Sequence, residues 1–203
     1  MRSLGASIGQ RPENRFAELE GTTASTVDDR YERAFIYAVL AASALGVLVF
    51  VWRFGRDVPF WDEWEFVPVL AGEARASLGW IWALHNEHRV PVARAAMVLA
   101  WRLGLGHQAV MLMTAVILTV LAVVLVETAR RVRGRAAYSD AALAVAVLQW
   151  GHYENLIFAI QLFFVAAPAL ACGIVAVIAW DAWRASPGAI IALGVMLVML
   201  PMN

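Results

Sequence analysis

The chain has 203 residues, of which 62% are hydrophobic and only 16% are charged; a soluble domain averages about 45–50% apolar and about 25% charged. Its 16 basic and 16 acidic residues cancel, which leaves no electrostatic footprint for nucleic acid and sets that class of partner aside. A single cysteine, Cys172, excludes an internal disulfide and a CxxC-type metal site. The mean hydropathy of +0.67 is concentrated in long apolar runs, so the composition predicts an all-α, polytopic transmembrane helical bundle in contact with membrane lipid.

Residues 1–33 are polar, mixed in charge and without apolar periodicity, and are expected to form a disordered cytosolic tail ahead of a transmembrane module over 34–203. Ala34 to Trp52 is the first span: nineteen residues at about 1.5 Å each cover about 28 Å, close to one hydrocarbon core. A polar loop over 53–90 follows. Pro59 and Pro68 break it, and residues 60–67 and 76–84 are predicted to be short interfacial helices carrying Trp61, Trp64, Trp80 and Trp82. In a helix, Asp62 and Glu65 share a face, whereas Glu63 points about 100° away from Asp62.

Pro91 opens an apolar stretch that carries Arg94 and Arg102, too short and too charged to cross, and predicted to be partly embedded. Arg94 there either snorkels to the surface or meets a lipid phosphate. His107 to Val126 is a second span. It is followed by Arg130, Arg131, Arg133 and Arg135, which place that end in the cytosol. The N-terminus is then cytosolic and the 53–90 loop external. Ala141 to Trp150 is thin for a crossing and needs protein neighbours to cover its ends. The polar GHYEN stretch (151–155) precedes a third long apolar run, Leu156 to Trp180, and a last run covers Ala189 to Leu200.

The external loop holds the residues with chemistry. Moving a sugar from a lipid phosphate requires a base to deprotonate the acceptor hydroxyl as it attacks the anomeric carbon, and cations to receive the departing phosphate. Asp62, Glu63 and Asp57 are the candidate carboxylates. Arg89 and Arg94, with His85, Glu87 and His88 of HNEH, are candidate substrate-binding groups; on a helix the two imidazoles, three apart, face one way. Asp62, Glu63 and His88 together could hold Mg²⁺ or Mn²⁺ with a phosphate substrate. His152, Tyr153, Glu154, Asn155 and Gln161 are polar groups at an apolar segment, where such groups tend to face a cavity; they are expected beside the first loop.

WDEW (61–64), HNEHRVPVAR (85–94) and GHYENLIFAIQ (151–161) resemble bacterial membrane glycosyltransferases of the GT-C fold that use polyprenyl-phosphate sugars. The resemblance covers about residues 34–180. It implies a GT-C-like bundle in the bacterial cytoplasmic membrane, interfacial helices in the first external loop, and an acidic catalytic residue there: Asp62, with Asp57 and Glu63 as alternatives. It also implies a polyprenyl-phosphate sugar donor and an envelope glycan, lipid or protein acceptor. Members of that family carry more spans, so this chain corresponds to an N-terminal portion, with a downstream polypeptide as the partner that completes the bundle. Two other readings remain open: a non-enzymatic membrane subunit or fragment, and a transporter or flippase of lipid-linked sugars.

Overall fold

The computed structural model describes residues 12–181 and 186–200, with side chains from Asp29 onward. It is an all-helical bundle with one minimal hairpin. Helix α1 runs unbroken from Pro12 to Phe54, so the segment expected to be a disordered tail is helical from Pro12. Proline suits a first helical turn, and the Glu-, Ala- and Leu-containing sequence after it favours helix; residues 1–11 lie outside the described residues. The apolar part of α1, Asp29–Phe54, and helix α5, Gly106–Arg133, are both long and apolar enough to cross a membrane. The third such stretch, Ala159–Ala179, is a 3₁₀ turn at Ala159–Gln161 leading into α8, Leu162–Ala179. A multi-pass membrane protein follows from these three stretches.

α1 and α5 lie against each other, with Val47, Val51, Val110, Met111 and Ala115 buried in the shared core. Their junction is pinned reciprocally. Asp57, just past α1, accepts from the Gln108 N–H at the start of α5 (3.0 Å). The Gln108 side-chain amide returns to the carbonyls of Trp52 (3.2 Å) and Gly55 (3.4 Å) at the end of α1. Each side chain thus satisfies groups that a helix end leaves without partners. Gly106 adopts φ +68°, and a Cβ there would fall 2.2 Å from Asp57 Oδ1, so the junction requires glycine.

Between Arg133 and Gln161 the chain returns to the loop end in pieces: a 3₁₀ turn at Tyr138–Asp140, α6 (Ala141–Val147), a turn at Trp150–His152 and α7 (Glu154–Ile157). The ten-residue run Ala141–Trp150 thus needs other pieces to complete its crossing, and α6 packs against both α1 and α5. Broken helices are tolerated at membrane depth when protein covers them. Local side chains serve the break: Gln149 accepts from the Gly151 N–H, and the His152 imidazole Nε2 donates to the Val147 carbonyl (3.0 Å). α8 packs on α5, and the last helix, α9 (Pro187–Met199), packs on α8.

The loop between α1 and α5 comprises a 3₁₀ helix at Trp61–Phe66, α2 (Val67–Leu70), α3 (Leu78–Trp82), strands β1 (Leu84–His85) and β2 (His88–Arg89), and α4 (Pro91–Arg102). α4 has twelve residues, about 18 Å at the helical rise, which is short of a crossing. The loop therefore leaves and re-enters the bundle at the same end.

Candidate functional site: an acidic 3₁₀ turn over the bundle end

WDEWEF folds as a 3₁₀ helix instead of an α-helix. At three residues per turn, side chains three apart lie in line, and the six residues sort onto three faces. Trp61 and Trp64 face outward, 78% and 59% exposed. Glu63 and Phe66 face inward, 0% and 1% exposed. Asp62 and Glu65 form the third row, as the sequence spacing predicts, and both approach His85. Trp61 begins the turn at φ +46°, a conformation that costs a bulky residue about 1–3 kcal/mol and is characteristic of constrained sites.

The three candidate acids have different surroundings. Asp57 caps α5 and makes no ion pair with its neighbour Arg56 among the described residues. Glu63 is fully buried. Its Oε2 accepts from the Phe60 N–H (3.0 Å), closing the start of its own turn, and its Oε1 accepts from the Ile160 N–H (2.9 Å). It thereby latches the first loop to the segment containing GHYEN, ninety-seven residues away. Glu63 Oε2 also lies 4.0 Å from Nε2 of buried His107. His107 Nδ1 accepts from the Trp101 indole N–H (3.2 Å), which assigns the imidazole proton of a neutral ring to Nε2, facing Glu63.

Asp62 is the open one. Its carboxylate is 55% exposed, and its Oδ2 lies 3.6 Å from His85 Nε2 and accepts from the Asn86 amide (3.2 Å). His85 is only 5% exposed, and its Nδ1 is 3.1 Å from the exposed Glu65 carboxylate. Neither imidazole nitrogen has an aligned hydrogen bond. A buried imidazole thus sits between two open carboxylates.

HNEH is a hairpin and not a helical pair. His85 and His88 face each other across two short strands, and Asn86 takes the turn at φ +52°, a region in which Asn is enriched. The pairing separates the two imidazoles: His85 turns in, while His88 is exposed with its ring 6.2 Å from Phe163. Glu87 is exposed at the tip.

Arg94 neither snorkels nor faces the surface. It is 4% exposed. Its guanidinium donates to the carbonyls of Trp80 and Ala83 (both 2.6 Å) and Leu84 (3.4 Å), and it lies over the rings of Phe66 and Trp80 at 5.2 and 4.9 Å. It holds α3 and the hairpin onto α4. Burial pulls its pKa below the usual guanidinium range, opposed by the nearby Glu65 carboxylate. Arg89 is exposed and donates to the Trp82 carbonyl (2.5 Å).

Beside the acidic turn lies a groove of about 530 Å³. One wall is Phe54, Val58, Pro59, Phe60 and Trp61; the other is Ile157 and Phe158. Phe60 and Phe158 stack at 4.6 Å. The polar lining is Arg56, Tyr153 and Glu154. The structure therefore brings Tyr153 and Glu154 to the first loop. His152 turns to the α6 carbonyl, Asn155 is half-buried, and the Gln161 Oε1 is buried without a partner. Arg56 and Phe158 are lining residues that the sequence reading did not nominate; the signal for Arg56 was its place as the last cation after the first span.

Among the described residues no group of three His, Cys, Asp or Glu side chains is arranged to hold a metal ion. The trio Asp62, Glu63 and His88 is not assembled, because Glu63 is turned inward onto two backbone N–H groups. Comparison of the chain with protein-family models, with curated proteins and with solved structures gives no match.

Proposed function

We propose that the chain is a GT-C-like membrane module that passes a sugar from a polyprenyl phosphate to an envelope glycan, lipid or protein acceptor at the outer face of the cytoplasmic membrane, with Asp62 as the general base. The observation that carries the reading is the division of labour among the loop acids. Asp57 and Glu63 are committed to backbone N–H groups, whereas Asp62 is open, oriented by Asn86 and next in sequence to Trp61, which lines a groove suited to an apolar chain. Strong exposure of Trp61 and Trp64 on the same turn suits the headgroup level of a bilayer, where a lipid phosphate lies.

In this reading the isoprenoid chain lies along the aromatic walls and the phosphate faces Arg56. Asp62 takes the acceptor hydroxyl proton while the acceptor oxygen bonds to the anomeric carbon. The bond from that carbon to the phosphate oxygen breaks, and the lipid phosphate leaves carrying the bonding pair. Arg56 replaces Arg94 as the cation for that charge, since the Arg94 donors already face carbonyls. The external position of the loop rests on Arg130, Arg131, Arg133 and Arg135 at or just past the far end of α5.

The test is transfer from a radiolabelled polyprenyl-phosphate sugar by the chain reconstituted in vesicles. Asp62→Asn is expected to lower transfer by about 10²–10⁴ while donor binding persists. Near-normal transfer in that variant would remove Asp62 from the role. Donor binding without any transfer by the wild-type chain would favour a non-enzymatic subunit.

A further inference from the structure

A second pocket, of about 240 Å³, lies between the α2–α3 connection and the last turns of α4. Its walls include Val69, Gly72, Val98 and Trp101, and two arginines line it from different elements: Arg75 from the connection and Arg102 from α4. Both are exposed. Five of the other arginines near the two bundle ends are engaged, Arg33, Arg130 and Arg133 with carboxylates and Arg89 and Arg94 with carbonyls, while Arg56 lines the separate groove beside the acidic turn. Arg75 and Arg102 have no side-chain hydrogen bond or ion pair among the described residues, and the neighbouring Glu73 pairs with neither.

Two cations opening into one small recess repel each other unless an anion lies between them. The end of α4 would ordinarily oppose an anion, because free carbonyls make a helix C-terminus negative. Here the carbonyls of Leu99, Ala100 and Trp101 accept the N–H groups of Leu103, Leu105 and Gly104, which mutes that field. The pocket is smaller than the roughly 300–1,000 Å³ typical of sites for drug-sized ligands, and suits a headgroup. Its level is also fixed: Trp101 donates to His107 in the first turn of α5, where the spanning helix meets the loop. The Trp101 ring gives the recess an apolar wall at the depth where hydrocarbon gives way to headgroups.

We propose that Arg75 and Arg102 form a site for a phosphate group, which they clasp through the paired guanidinium contacts that suit phosphate oxygens. The site is separate from the Asp62 groove and does not depend on the transfer reaction. A lipid phosphodiester or a free phosphate ion presents the same chemistry, and its binding would tie the α2–α3 connection to α4.

Native mass spectrometry of the purified chain in detergent, titrated with phosphatidylglycerol, tests this directly. An arginine at a membrane surface contributes about 1 kcal/mol towards an anionic lipid, about fivefold in affinity. Arg102→Gln is therefore expected to weaken the tightest lipid adduct about fivefold, and Arg75→Gln with Arg102→Gln about 25-fold. Arg135→Gln, at the opposite end, is expected to leave it unchanged. Competition with millimolar inorganic phosphate separates the sources: displacement assigns the free ion as a ligand, and persistence assigns the lipid. The single Arg102→Gln variant carries the test if the double variant does not fold. Unchanged affinity in the arginine variants, or an equal loss in Arg135→Gln, would overturn the site.

Discussion

The two ends of the bundle hold comparable numbers of charged groups and use them in opposite ways. At the end where α5 finishes, most charges close on one another. Arg133 bridges buried Asp140 (2.8 and 2.9 Å), Asp140 also accepts from the Ala137 N–H (3.0 Å), Asp29 takes Arg33 and the Ala136 N–H, and Glu127 takes Tyr37 and Arg130. At the loop end, Asp57, Glu63 and Arg94 are committed to backbone groups, but Asp62, Glu65, Arg75 and Arg102 are left open. Charges that satisfy one another fix a structure. Charges held in position and left open are available to a ligand.

The contrast can be broken most completely by labelling. In a Cys172→Ser background, a cysteine at Glu87 is expected to react with an impermeant thiol reagent in intact cells, and one at Ser139 to be silent. The reverse pattern would exchange the two faces. Next in size is the junction: Gly106→Val combines a φ of +68° with a Cβ placed 2.2 Å from Asp57, and should destabilise by about 3–5 kcal/mol in detergent unfolding. Arg94→Met, which strips the donor from three carbonyls, is expected to cost about 3 kcal/mol. Glu63→Gln turns an amide N–H towards a backbone N–H and should cost about 2 kcal/mol. At the other end, Asp140→Ala loses a cap and an ion pair, for about 1–2 kcal/mol. The smallest effect is Trp61→Gly, which relieves a positive φ and should stabilise by about 1 kcal/mol while weakening apolar ligands in the groove.

Much of this frame is legible in the sequence because long apolar runs have few alternatives. The spans over α1, α5 and α8, and an α4 too short to cross, follow from length and charge. The row formed by Asp62 and Glu65 was legible too, since spacing of three aligns in either kind of helix. What separates Asp62 from Glu63 was not. The inward turn of Glu63 depends on the Ile160 N–H and His107, both distant in sequence. HNEH suggested helical spacing, but Asn86 in a left-handed conformation makes it a hairpin. Arg94 was read by its chemistry alone; its partners are carbonyls exposed where α3 ends and β1 begins, and no side-chain pattern encodes those.

The central claim is that adjacent carboxylates at the loop end have separate roles, Asp62 open and Glu63 a latch. Carbodiimide labelling of carboxyl groups in the folded, membrane-embedded protein, read residue by residue by mass spectrometry, tests it directly. Asp62 and Glu65, with side chains 55% and 62% exposed, should label rapidly. Glu63 and Asp140, at 0% and 2%, should label only after unfolding. Glu63 labelling as fast as Asp62 in the folded protein would contradict the account.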